Sequence, residues 1–564
     1  MTKKLKNESG IILLVCLSIL FMLSLIGIAS ITTSNNDMQI AENESRSTGA
    51  FYAAESGLEQ AAASINHSYG TTGNPPSPLP SGAFSELNYT YKYATTDDGA
   101  AVNTQMTEGA YKGLYGLVKT FTINSFGADV SSNSGVELQM QLSDALIPIF
   151  QFAVFYEDDL EIAPGPDMTL GGRVHSNKDM YIQAGSNLYI DSYLTAAGSI
   201  YHGRKPGSGR STSSNDVYIL DEDGNYQSMK NADNTFLDAN DNDWVNESLG
   251  RWDGLVEDGN HGITQLDMPV VVDGPATNLI DRGDGNPDSY EHKAGLKFTD
   301  GQAYYLSGGT WLNVTGNLIA DGIITTSTFH DGREGQDVKS IDLDMDRLNS
   351  SPYFPDNGII YSTLPENGSY VSALRLVNAT ELANPLTVVT DNPLYTLGDY
   401  NTVNKKPAAV ITDALTILSN DWDDLNSWSG RNDRVAANTQ VNVCFMTGNT
   451  ETGSPGHDYS GGFENLPRFL EKWSGKTLKW RGSAVDLWYS RQNTGAWGGS
   501  YYKPPTRDWA FDPDLLDIAN LPPGTPQVHV VQRMNWSQKI ASVANYESDY
   551  GDEEGNGNDN GNGR

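Results

Sequence analysis

The chain has 564 residues, of which 38% are hydrophobic, and a formal charge of −35. That length exceeds one small core and predicts two or three domains. A surface this negative repels phosphate backbones and anionic lipid heads, which argues against nucleic-acid binding through the globular part. With 57 glycines and many Asn, Asp, Ser and Thr residues, the composition favours strands and turns. The two cysteines, Cys16 and Cys444, lie far apart and predict no internal disulfide.

Lys3, Lys4 and Lys6 precede an apolar run, Ile11 to Ile31, that carries no charge. At about 1.5 Å per residue the run spans roughly 30 Å, one hydrocarbon core, and the lysines predict a cytoplasmic N-terminus. A secretory signal cut near Gly27 and Ala29 is an alternative, although the run is long for one. A lipoprotein signal would use Cys16, but bulky Val15 precedes it. A plain membrane anchor is the simplest reading. After Ile31 the helical pattern does not stop: Phe51, Ala54, Leu58, Ala61 and Ile65 form an apolar stripe, with Met38 and Ala41 upstream. One helix is therefore expected from about Ile11 to Ile65, apolar all round in its first half and amphipathic in its second.

The leader "MTKKLKNESG" and the following "GIILLVCLSILFMLSLIGIASITTSNNDMQIAENESRSTGAFYAAESGLEQA" resemble the N-terminus of PilX-like minor pilins of type IV pili. In that family "FxAAExxLxxA" is typical, here Phe51, Ala53, Ala54, Glu55, Leu58 and Ala61. The resemblance implies cleavage between Gly10 and Ile11 by a prepilin peptidase and N-methylation of Ile11. It implies assembly with other minor and major pilins, and passage from the inner membrane (through residues 11–31) to a pilus at the cell surface. Counting from Ile11, the fifth residue is Val15, where major pilins carry Glu. A subunit without that carboxylate cannot neutralise a neighbour's amine in hydrocarbon. PilX-like pilins and the K-type pseudopilin of type II secretion share the absence, which points to a filament tip or initiating complex. For the assembly face, the stripe Phe51, Ala54, Leu58, Ala61 and Ile65 is the candidate.

Residues 87–94, 111–126 and 136–142 alternate like strands, so a unit at 32–148 reads as a helix packed on an antiparallel sheet. From about Phe150, short apolar pairs recur between Gly, Asn, Asp and Ser. No strict repeat is evident, yet strands of three to five residues with turns between suit a parallel β-solenoid over 149–420. A two-sheet sandwich is the alternative. Residues 203–295, polar and loop-rich, read as an insertion. The overall class is α+β.

Residues 421–545 hold eight of the 11 tryptophans and read as a solenoid cap, with a sugar-binding surface as the alternative. Within it, "NLPRFLEKW" puts Leu466, Phe469, Leu470 and Trp473 on one helical face after Asn465, and "KTLKWRGSAVDLWYS" alternates like a strand. "FHDGREGQDV", "TVVTDNPLYTLGDYN" and "YSGGFENLPRFLEKW" are similar to stretches of large pilus-assembly proteins. Residues 546–564 read as a disordered acidic tail.

The eight histidines make no zinc spacing, and no catalytic fingerprint is present. His330-Asp331 with Arg333-Glu334, and the trio Asp391, Asp399 and Asp413, invite a catalytic reading, but turn chemistry explains them better and no catalytic residue is assigned. No cofactor is expected. Of ions, calcium fits best, through "DEDGN" (Asp221, Asp223, Asn225) and "DANDNDW" (Asp238, Asn240, Asn242), but both lack the EF-hand Gly and Glu and solvated loops are the favoured reading. The leading expectation is a non-enzymatic pilus-assembly protein at or near a tip. A glycan-binding adhesin and a surface-anchored polysaccharide-degrading enzyme are the alternatives.

Overall fold

The computed structural model describes residues 9–542 except 87, 131–133, 269–273, 284–285, 288, 453–458 and 499. Most of the leader and the acidic tail lie outside the described residues. Helix α1 runs unbroken over Ser9–Thr72, 64 residues and about 96 Å. It passes the expected end at Ile65 by two turns, because Tyr69 still packs inward. Gly73 then ends it: its left-handed φ of 66° lets its N–H close on Tyr69 O at 2.9 Å, a turn that favours glycine.

The second half of α1 lies on an antiparallel sheet. The sheet contains β1 (Ser81–Glu86), β2 (Tyr89–Asp97), β3 (Val102–Gln105), β4 (Tyr115–Asp129) and β5 (Ser134–Pro148). Its order is β1-β2-β4-β5, with β3 paired to β4. Ala50, Ala54, Leu58, Ala61, Ala62, Ile65 and Tyr69 pack on Tyr93, Phe121, Ile123, Leu138, Met140 and Leu142. Small residues set the distance. A Cβ on Gly127 of β4 would stand 2.1 Å from Ala50 O and 2.4 Å from Ala54 N, so the sheet meets the helix backbone itself.

The sheet is completed from far away. A return strand, Gln527–Ser542, pairs antiparallel with β5 from Gln527↔Pro148 to Ser542↔Ser134, with a bulge between Arg533 and Trp536. Sequence placed these residues in the aromatic cap and ended the first unit at 148. The chain instead leaves the sheet at Pro148 and re-enters it at Gln527, with Ile149 N donating to Pro526 O at 2.9 Å. Everything between is an insertion of one sheet's last hairpin.

The inserted body is β-rich and built mainly from parallel ladders. Val154, Val174 and Leu194 are in register, as are Leu160, Met180 and Ile200, and Met168 and Leu188 with Val217. Most steps are 20 residues. The first and third residues of most of these short strands point inward, as in Met180–Ile182 and Leu188–Ile190. A second series, Leu296–Thr299, Ile359–Ser362, Leu386–Thr390, Ala408–Thr412, Cys444–Thr447 and Ala484–Asp486, also runs parallel. Its last strand pairs with Val154–Tyr156, so the chain winds out, crosses over, and winds back to its starting point. The ladders belong to several separate sheets, and no closed solenoid is found among the described residues.

Two local expectations change. Residues 203–295 are not wholly outside the ladders: Val217–Leu220 pairs with Leu188–Ile190, and Val256–Glu257 with Leu194 and Thr195. Helix Trp244–Trp252 also sinks both tryptophans into the core. "NLPRFLEKW" is not a helix beyond a short 3-10 turn at Phe463–Asn465. Single bridges, Thr416↔Arg468 and Val435↔Lys472, hold it extended along the neighbouring coil, although Leu466, Phe469, Leu470 and Trp473 are all buried. Pairing to a fixed ladder outweighs a local helical pattern.

Candidate functional site: the N-terminal helix

The first half of α1 has no cover. Ile11, Leu14, Leu20, Phe21, Ile26 and Ile31 are all at least half exposed, as are their neighbours. The first charged residue after Ile11 is Asp37. The segment is long and apolar enough to cross a membrane. Three of its polar side chains are satisfied within the helix. Ser18, Ser24 and Thr32 hydroxyls donate to the carbonyls of Leu14, Leu20 and Ile28, at 2.8, 2.8 and 2.9 Å, so they can enter hydrocarbon without orphaned donors. Gly10 lies in the helix and Ile11 is exposed beside it.

The stripe read as an assembly face sits elsewhere. Ala54, Leu58, Ala61 and Ile65 are covered by the chain's own sheet, and Phe51 is half-buried against Tyr52 and Trp536. This face holds the subunit together. The sequence signal was an amphipathic stripe, which does not say whether the covering surface is internal or external.

Where helix, sheet and body meet, His529 of the return strand stacks on Tyr69 with ring centres 5.0 Å apart. Its Nε2 contacts Asp144 of β5, and its backbone N–H donates to Asp267 O at 2.7 Å. Burial pushes the Asp144 carboxyl up, against its hydrogen bond with His529. Arg533 and Glu59 form an exposed two-pronged ion pair across return strand and helix, with both contacts at 2.6 Å.

Three of the quoted sequence stretches converge in the body. Asp331 Oδ1 accepts Arg333 N and Glu334 N, while Oδ2 accepts Tyr395 OH at 2.8 Å. Arg468 donates to Glu334 at 2.7 Å, and Glu334 accepts Gly495 N at 2.8 Å. All these charged side chains are buried, so the network locks four loops rather than facing a substrate. His330 points away from it, to Asp337 at 3.0 Å.

The aspartate trio is dispersed in role. Asp413 accepts the backbone N–H groups of Arg491, Gln492 and Asn493, and Asp399 accepts Gln440 N and Asn420 Nδ2. Asp391 accepts Thr363 Oγ1, and burial raises its carboxyl to about 6. In the loops read for calcium, Asp221 accepts Asn225 N and Gln227 Nε2, and Asp238 accepts Asn240 N and His202 N. Among the described residues no three His, Cys, Asp or Glu side chains are grouped to hold a metal.

A family model described as PilX N-terminal matches residues 9–59, the segment containing the bare half of α1. The N-terminal segment is similar to that of PilX-like pilins. No curated protein matches the chain. Among solved structures, the competence-associated pilin ComZ from Thermus thermophilus aligns at 11% identity with a TM-score of 0.26, covering 88% of this chain and 98% of that one. The apolar helix and the pilin-like segment fit membrane anchoring and a pilus-related role.

Proposed function

We propose that the chain is a minor pilin that takes part in type IV pilus assembly and carries its large body at or near the filament tip. One observation carries this reading: a single unbroken helix is bare and apolar at one end and, at the other, joined to a sheet that bears the body. In this reading the helix rests in the inner membrane with its leader in the cytoplasm. A prepilin peptidase cuts between Gly10 and Ile11, Ile11 is methylated, and residues 11–31 exchange lipid for the helices of other pilins. The assembly surface is then the bare half of α1, not the covered stripe.

The body's position supports the tip. Near the end of α1, Tyr69 meets His529 beside the body, whereas Phe51 meets Trp536 farther down the return strand. The body therefore lies beside the C-terminal turns of the helix, at the end away from the apolar half. A unit of roughly 60 Å, by size scaling, is crowded when repeated along a thin filament and free at its end. The absence of a carboxylate at Val15 fits a subunit with no pilin ahead of it. Parallel ladders in 20-residue register support a solenoid-like body acting as a rigid, non-enzymatic display element. Immunogold labelling with antibodies to the body tests the placement. Gold at one end of sheared filaments is expected; gold along the whole length, or on membranes alone, contradicts it.

A further inference from the structure

The loop 421–434 is fixed from beneath and presents Leu425 and Trp428 at the surface among exposed aspartates. Arg375, buried, forks onto Asp424 at 2.6 and 3.0 Å while also pairing with Asp342. Arg434, buried, donates to Ser427 O at 3.2 Å and to Ser429 O, the residues on either side of Trp428. The indole N–H of Trp428 donates to Asp337 Oδ1 at 3.1 Å, and the same oxygen holds His330 Nδ1 at 3.0 Å. The His330 ring lies beside the indole, centres 6.5 Å apart and 27° from parallel, and its backbone N–H donates to Ser427 Oγ at 2.8 Å.

Despite these anchors, Trp428 is 50% exposed and Leu425 is 86% exposed. A lone exposed apolar residue needs no explanation. An exposed tryptophan whose ring plane is set by a hydrogen bond, a stacked imidazole and two pinned neighbours is different, because rigid presentation is what a binding platform requires. Elsewhere in the cap region Trp473, Trp480, Trp488 and Trp509 are buried and Trp422 and Trp497 partly buried; Trp536, equally exposed, belongs to the return strand and meets Phe51.

We propose that Trp428 is the platform of a glycan-binding site that takes a neutral pyranose ring. The apolar C–H face of the sugar lies on the outer face of the indole, beside Leu425. Its hydroxyls reach the Asp337 carboxylate and the His330 imidazole at the ring edge. Charge selects the class: exposed Asp421, Asp423 and Asp433 lie in the loop itself against one cation, Arg431, that is not buried, on a chain of charge −35, so sialylated or sulfated glycans are repelled. The proposal goes beyond the pilin reading and does not rest on it, since the loop is built entirely within the body.

The test uses the full chain in detergent micelles, immobilised, with ribonuclease B as a bearer of neutral high-mannose glycan and unglycosylated ribonuclease A as its counterpart. A glycan microarray of neutral and sialylated oligosaccharides is run beside it. Binding to ribonuclease B or to neutral array spots is expected, weakened at least about tenfold in Trp428→Ala and largely kept in Trp428→Phe. Circular dichroism confirms that both variants are folded. No binding to any neutral glycan overturns the proposal, and so does equal binding by Trp428→Ala. Trp428-dependent binding to ribonuclease A also overturns it, in favour of a protein partner. None of these outcomes alters the filament labelling expected of a minor pilin.

Discussion

Along α1, residues 11–40 and residues 50–69 share one continuous backbone but differ in what covers them. In the upper half the apolar side chains lie on one face, Ala50, Ala54, Ala61 and Ala62 alternating with Leu58, Ile65 and Tyr69, and Gly127 lets β4 approach to the helix backbone. In the lower half they are large, all round, and bare. The upper half solves its burial within the chain. The lower half cannot, and needs lipid or other helices. Hydrophobicity alone is therefore a poor guide to assembly: the neat stripe is internal, and the unpatterned run is the surface left over.

The largest expected effect comes from closing the gap on the covered side. Gly127→Leu drives a side chain into Ala50 O and Ala54 N, both backbone, and should cost roughly 3 kcal/mol or more in denaturant unfolding of the sheet unit. The bare half should be unaffected, so membrane retention persists. A cavity in the same interface is next: Leu58→Ala should cost about 3 kcal/mol by the same measurement. An equal truncation at Leu20 should leave unfolding unchanged, because the Leu20 side chain is exposed.

A smaller effect separates the body from the helix unit by pH. Burial raises the carboxyls of Glu464 and Glu471 from 4.5 to about 7. Their folded forms favour the proton, so the stability they contribute is complete below about pH 4.5 and is lost as pH rises through 7. The melting temperature of the body should therefore be higher at pH 5 than at pH 8, by about 3 °C or more. Glu464→Gln and Glu471→Gln together should flatten that slope. The smallest effect is at the surface: Arg533→Ala removes an exposed pair with Glu59 and should change stability by less than about 1 kcal/mol, still less in high salt.

The helix was legible in sequence because its period and its lack of charge are local properties. The ladder series was visible as short apolar pairs, but not its interval. Val154, Val174 and Leu194, or Leu160, Met180 and Ile200, interchange any apolar residue that fills the core, and the loop at 203–216 breaks the count before Val217. Aligning Asp159 with Asp179, and Asp167 with Asn187, would have exposed it, since each of these turn residues caps the coil above: Asp159 accepts Asp179 N and Asp167 accepts Asn187 N. The return strand was not legible. Its alternation is ordinary, and its partner β5 lies some 380 residues away, so nothing local distinguishes it from a cap strand. The loop around Trp428 was hidden among tryptophans that are mostly core; only the anchors contributed by Arg375 and Asp337, distant in sequence, and by Arg434 at the loop's own end set it apart.

The claim that most depends on measurement is that α1 is one spine, trimmed before Ile11 and transferred whole from bilayer to polymer. Mass spectrometry of the N-terminal peptide, from protein recovered in sheared filaments, tests it directly. The account predicts a chain beginning at a methylated Ile11. A chain beginning near Ala29 and free in the medium, or an intact Met1 confined to membranes, would contradict it.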